Sequence, residues 1–292
     1  MAKFVVLGAR GMLGQQVADE ARRADFDVVE VTRSGEHPFN YSGGNLDSLA
    51  LSLKLGPGDT LVNCVGWIPQ KGTGNLESDK ASAYRLNAEL IDGLSSWRRK
   101  TGFNWMQILT DCVFRGDAGS YDEKDVKDAL DLYGLSKIAG EQYLEGSVAI
   151  RCSIVGPDQN SSAGLYSWFK SQAAHGAQVY GYKNAFWNGV STLAFSRLAS
   201  AVHVTQEIKP GVSHWIPSDT ATKHDLLQWF ATGLGYESSA IEETYLPRSV
   251  DRTLSTVSPE WNMKLWQIAG YSKVPSIKEL CEELISHDMA KG

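Results

Sequence analysis

Short apolar runs alternate with amphipathic stretches through the first half of this 292-residue chain, and a parallel sheet covered by helices on both faces satisfies such a pattern. Residues 3–7 read as the first strand, 13–24 as the helix after it, and 26–32, rich in β-branched side chains, as the second strand. Residues 46–55 read as helical, Gly56-Pro57-Gly58-Asp59 as a turn and 60–65 as a buried strand. A long helix is predicted over 81–100, a strand over 105–109, a helix over 132–144 and a strand over 148–152. The expected fold class is α/β, a Rossmann-type doubly wound parallel sheet over 1–155. After Gly156-Pro157 the texture changes to glycine-bounded aromatic segments such as Tyr180-Gly181-Tyr182. Residues 156–292 are therefore expected to be mainly a smaller substrate-binding lobe, with part of the chain returning to the first domain.

Gly8, Gly11 and Gly14 fall in the turn between the first strand and the first helix. Backbone there can approach a pyrophosphate, whose charge the helix N-terminus stabilises. The Gly-x-x-Gly-x-x-Gly spacing departs from the standard dinucleotide fingerprint, so its place at the first βα turn carries the reading. Arg10, Met12 and Leu13 in the same loop join the expected cofactor contacts. A carboxylate at the end of the second strand would mark NAD. Here Arg33-Ser34 follows Thr32, and a guanidinium suits a 2′-phosphate that Arg10 can share, so NADP(H) is expected. Glu30 is the competing residue: were the strand to end there, NAD would return. Cys64-Val65-Gly66 supplies small residues for a second turn beneath the cofactor.

Tyr133 and Lys137 lie one helical turn apart on the same face. A free phenol, with a pKa near 10, is a poor proton donor at neutral pH, and a neighbouring ammonium is expected to draw it down. Thr110 closes an apolar run and so stands at the carboxyl end of a strand, where its hydroxyl can meet a substrate oxygen.

Taken together, Gly8-x-x-Gly11-x-x-Gly14, Asn63-Cys64-Val65-Gly66, Thr110-Asp111-Cys112-Val113-Phe114 and Tyr133-Gly134-Leu135-Ser136-Lys137 with Gly140-Glu141 resemble the extended short-chain dehydrogenases, closest to the dTDP-4-dehydrorhamnose reductase branch. The resemblance covers roughly the first 155 residues. It implies an NADPH-dependent reductase of a nucleotide-linked 4-keto-6-deoxy sugar, a role in polysaccharide biosynthesis, and Thr110, Tyr133 and Lys137 as the catalytic triad, with Tyr133 and Lys137 also against the nicotinamide ribose. Asp111 is expected to shape the substrate pocket. Further along, Trp187-Asn188 and Arg252 are candidate substrate contacts, Arg252 for a phosphate. Relatives in this branch often carry a tryptophan just after the strand over 148–152. Ile154 stands there instead, which leaves sugar stacking to Trp187 or Trp67. The alternatives are a nucleotide-sugar epimerase or dehydratase that retains its NAD(P), and a non-catalytic NADP-binding regulatory subunit.

A formal net charge of −6 argues against a general grip on nucleic acid or anionic lipid. No apolar run reaches membrane-spanning length, and the first strand leaves no room for a signal peptide, so the expected location is cytoplasmic. Cys64, Cys112, Cys152 and Cys281 have neither disulfide-framework nor metal-finger spacing and read as reduced; His214 and His224 suggest no metal. The expected partner is a nucleotide-sugar substrate, with a homodimer left open.

Overall fold

The computed structural model describes residues 1–44, 46–161, 163–205 and 210–291. Strands β1 (Lys3–Leu7), β2 (Asp27–Thr32), β3 (His37–Pro38), β4 (Thr60–Asn63), β5 (Asn104–Leu109) and β6 (Val148–Arg151) are interleaved with helices α1 (Met12–Arg23), α2 (Asp47–Leu53), α3 (Leu76–Tyr84), α4 (Leu90–Thr101) and α5 (Leu132–Gly140). The chain continues through β7 (Ile154–Val155), α6 (Leu165–Ala174), β8 (Val179–Tyr182), β9 (Ala185–Trp187), β10 (Val190–Ser191), α7 (Thr192–Thr205) and β11 (Gly211–His214). It ends with β12 (Ala221–Thr222), α8 (Lys223–Leu234), β13 (Ile241–Thr244), β14 (Val250–Asp251), α9 (Pro259–Ile268) and α10 (Ile277–Met289).

The central sheet has seven strands in the order β11-β6-β5-β4-β1-β2-β3, and every pairing is parallel. Strand order reverses at β1, which opens a crevice above the carboxyl ends of β1 and β4, the usual ligand position in such sheets. β4 and β6 are buried at every position because helices cover both faces, which explains the apolar Leu61-Val62 and Val148-Ala149-Ile150 at their centres; the buried polar Asn63 and Arg151 stand at their carboxyl ends. One face packs α1 and α7 through Val17, Phe195 and Leu198, with Trp215 and Trp266 beside them. The opposite face packs α2 and α4 through Leu49, Leu53, Leu94 and Trp97. Tyr166, Phe169, Trp187, Leu226, Phe230 and Leu284 form a separate core joining α6, α8 and α10. Segments after residue 155 thus serve both bodies: α7, β11 and α9 lie with the sheet, and α6, α8 and α10 build around the second core.

The single helix predicted over 81–100 differs in the structure. It begins at Leu76 and is interrupted by a π-helical turn at Arg85–Glu89. Asn87 lies in that turn with its amide fully engaged across the site, so a wider turn is held by tertiary hydrogen bonds where the side-chain pattern alone reads as regular helix. Among the described residues, no helix is long and apolar enough to cross a membrane.

Candidate active site

The glycine turn leads from β1 into α1, whose N-cap is Gly11. A side chain at Gly14 would overlap the Gly8 carbonyl oxygen, so glycine is required there for α1 to start this close to the strand. Gly8 and Ala9 both donate their amides to the Val31 carbonyl, at 2.9 and 3.4 Å, which ties the turn to the end of β2. A groove of about 600 Å³ runs alongside, lined by Gly8, Arg10, Arg33, Cys64, Gly66 and Asn160 among others. Arg10 Nη1 donates to Ser34 Oγ at 3.1 Å, bringing the loop arginine to the tip of β2, where Arg33 is exposed. β2 runs to Thr32, and Glu30 is held mid-strand in an ion pair with Arg22 of α1, so the carboxylate that would favour NAD is not at the strand end. Of the expected contacts, Leu13 has its side chain in the core, 7% exposed, leaving only its backbone to the turn. Asn160, which sequence reasoning missed, donates from Nδ2 to the Arg10 carbonyl at 2.6 Å from the far side of the groove.

Thr110 follows β5, and its hydroxyl accepts the Cys112 amide at 3.1 Å and donates to Asp111 Oδ1 at 3.1 Å. Asp131 caps α5 by accepting the Gly134 amide at 2.8 Å, and this sets the helix so that Tyr133 and Lys137 share a face. Lys137 Nζ lies 5.8 Å from the Tyr133 ring centroid. A methyl on Gly66 would come within 3.0 Å of that ammonium and 3.2 Å of Asn87 Oδ1, which puts the second cofactor turn directly against the lysine. Thr110, the α5 pair Tyr133 and Lys137, and the Cys64-Val65-Gly66 turn are therefore brought together from three separate segments.

Electrostatics here depart from the sequence reading. Burial pushes the Tyr133 phenol above its ordinary range, Cys112 adds to the rise, and the hydrogen bond with Thr110 opposes it. The expected draw from Lys137 does not set the direction of the shift: the ammonium lies by the ring, and burial lowers the lysine itself to about 8 against the pull of Glu141. Burial likewise pushes the Cys64 and Cys112 thiols up to about 12, so neither is a nucleophile at neutral pH.

Asn87 is a second residue that sequence reasoning missed. Its Oδ1 accepts the Trp67 amide at 2.9 Å, and its Nδ2 donates to the Trp67 carbonyl at 3.1 Å and to Ser136 Oγ at 2.9 Å. One buried amide thus fastens the turn after β4 to the helix bearing Tyr133 and Lys137. The available signal was an asparagine, a poor helix former, in mid-helix.

The other expected substrate residues divide. Trp67 is buried and lines the cofactor groove. Arg252 Nε donates to the Phe114 carbonyl at 2.8 Å, and Nη2 stands 4.0 Å from Asp131, so the side chain reaches the base of α5. Trp187 is not the open stacking surface expected. It is 4% exposed, its indole N–H donates to Ser153 Oγ at 2.7 Å, and the Lys223 ammonium covers its ring at 5.2 Å. Asn188 has both arms of its amide on the Leu254 backbone, at 2.7 and 2.9 Å, and so fixes the segment that carries Arg252.

Comparison with known proteins follows the same lines. The family profile of the RmlD substrate binding domain matches residues 2–260. A dTDP-4-dehydrorhamnose reductase of Mycobacterium tuberculosis is 30% identical over 145 residues, covering 48% of this chain and 44% of that protein, so the match spans less than half of the reductase. Methionine adenosyltransferase 2 subunit beta of Xenopus tropicalis is 24% identical over 276 residues, 90% of this chain and 80% of that one. In fold, the chain is similar to a crystal structure of dTDP-4-dehydrorhamnose reductase from Bacillus anthracis in complex with NADP, with a TM-score of 0.77 at 15% identity, covering 98% of this chain and 99% of that one.

Proposed function

Because the chain belongs to the RmlD substrate binding domain family, we propose that it is an NADPH-dependent reductase of a nucleotide-linked 4-keto-6-deoxy sugar. The observation that carries this reading is the convergence of Thr110, Tyr133 and Lys137 beside the glycine turns, in a crevice at the carboxyl ends of the sheet. The groove fits a dinucleotide: α1 begins where a pyrophosphate is stabilised, Arg10 and Arg33 offer cations at the end of β2, and Lys137 stands against Gly66. When bound, NADPH supplies a hydride to the ketone carbon.

The remaining steps belong to this chain. Tyr133, kept protonated by burial, gives its proton to the carbonyl oxygen. Thr110 orients that oxygen with its hydroxyl, and Lys137 supports the charge that develops on it. Asp111, hydrogen-bonded to Thr110, fixes the rotamer of the threonine.

The test is to supply NADPH with a panel of dTDP-, UDP- and GDP-linked 4-keto sugars, follow absorbance at the nicotinamide band and identify the product by NMR. Stoichiometric NADPH consumption supports the reductase; turnover without net oxidation points to an epimerase or dehydratase. A second reading, a non-catalytic NADP-binding regulatory subunit, is favoured by the likeness to methionine adenosyltransferase 2 subunit beta over 90% of this chain. It predicts NADPH binding with no turnover on any member of the panel.

Cofactor choice has its own test. Arg33→Asp removes a cation and adds a repelling carboxylate at the end of β2, so NADPH affinity is expected to fall by about ten- to a hundredfold while NADH binding holds or improves. Fluorescence titration with both cofactors measures it, and an unchanged NADPH-to-NADH ratio would move the 2′-phosphate away from Arg33.

A further inference from the structure

Lys223 is the first residue of α8. A cation there sits at the positive end of the helix dipole, where acidic side chains are favoured, so its charge gains nothing from its own helix. Among the described residues, its ammonium has no hydrogen bond and no ion pair. Asp225 in the same turn is engaged with Thr222 and Lys183 instead. What fixes the side chain is Trp187, whose ring centroid lies 5.2 Å from Lys223 Nζ. Strand pairing sets that contact, because β12 runs antiparallel to β9 with Ala221 opposite Trp187. The indole is in turn pinned by its hydrogen bond to Ser153.

The charged and titratable neighbours that act on Lys223 are Asp111 and Cys112, the two residues that follow Thr110. Arg252 acts on the same Cys112, so two cations border the turn that carries the catalytic threonine. A partly buried ammonium held over the Trp187 ring with no carboxylate paired to it calls for a negatively charged ligand atom.

We propose that Lys223 is the anion-binding residue of the substrate cleft, its ammonium receiving an oxyanion of the substrate from its seat on Trp187 beside Asp111. The assignment rests on the nucleotide-sugar reading, in which the oxyanion belongs to the diphosphate linker, since a 6-deoxy sugar carries a methyl where a uronate has its carboxylate. Lys223 also explains why Trp187 is not a bare stacking surface: the indole serves as a platform for the cation.

Calorimetric titration of the NADP-saturated protein with dTDP, UDP, UDP-glucose and UDP-glucuronate tests it. Lys223→Met and Lys223→Gln, both neutral, are expected to weaken the nucleoside diphosphates by about tenfold or more, and Lys223→Arg by much less, with NADPH affinity unchanged in all three. A loss confined to UDP-glucuronate, whose carboxylate a 6-deoxy sugar lacks, would overturn the assignment of Lys223 to the diphosphate. Neutral variants that keep wild-type affinity for all four ligands would overturn the Lys223 assignment and leave the nucleotide-sugar reading standing. A wild-type protein that binds none of the four, and not GDP either, overturns both.

Discussion

Replacing Tyr133 by Phe is expected to cut turnover by about 10²–10⁴-fold and to leave NADPH affinity unchanged. Reduction of a ketone consumes a proton, and the group that gives it must hold that proton at the working pH. Burial and the neighbouring Cys112 keep the phenol above its ordinary range, so at neutral pH it stands in the donating form. The opposite shift, toward phenolate, would suit alcohol oxidation. Phe preserves the ring and its approach to Lys137, 5.8 Å from the centroid, so packing of α5 is retained and the change isolates the hydroxyl. NADPH titration beside steady-state NADPH oxidation separates binding from chemistry. Undiminished turnover in the variant takes Tyr133 out of the mechanism.

Much of this site could be read from the chain because its parts are local. Gly8 to Gly14 in one turn, Thr110 at a strand end, and Tyr133 with Lys137 on one helical face each announce themselves within a few residues. What could not be read depends on pairs far apart in sequence. Asn87 meets Ser136 across 49 residues, and its π-helical turn hides inside a pattern that fits regular helix. Lys223 meets Trp187 only because β12 pairs with β9, and two-residue strands leave no periodic signal. Trp187 is expected from the sequence as a stacking surface, but burial under a cation depends on a helix that begins 36 positions later. The direction of the Tyr133 shift differs from the expected one for a related reason: spacing gives the proximity of an ammonium, and burial, which sets the sign of the shift, is a property of the whole fold.

The same dependence on distant partners underlies the largest stability effect expected here, that of Glu141→Gln. Glu141 and Arg151 are each 3% exposed in their side chains and form a two-pronged pair, with Arg151 Nη1 to Glu141 Oε1 at 2.7 Å and Nη2 to Oε2 at 2.9 Å. Arg151 also donates to the Thr110 carbonyl at 3.1 Å and to His214 Nε2 at 3.0 Å, so it links the end of α5 to Thr110 and the edge strand β11. His214 takes part as a neutral ring, since burial and then Arg151 hold its pKa down while Nδ1 donates to the Ser255 carbonyl at 2.7 Å. Gln keeps the shape of Glu141 but leaves a buried guanidinium without its counter-charge, a change of about 3–5 kcal/mol, or a melting temperature lower by on the order of 10 °C. Turnover should fall too, because the Thr110 carbonyl loses the support of a fixed Arg151. The pH dependence separates charge from shape. Burial alone would raise the Glu141 carboxyl, but the hydrogen bonds and charge of Arg151, then of Lys127, hold it below its usual value. An acid held below its unfolded pKa contributes its full stability above that unfolded value and loses it as pH falls through the folded one. The melting-temperature gap between wild type and Glu141→Gln is therefore expected to be constant near neutrality and to close in acid. A gap that persists unchanged below the carboxylate range would mean that the glutamate acts by packing and not by its charge.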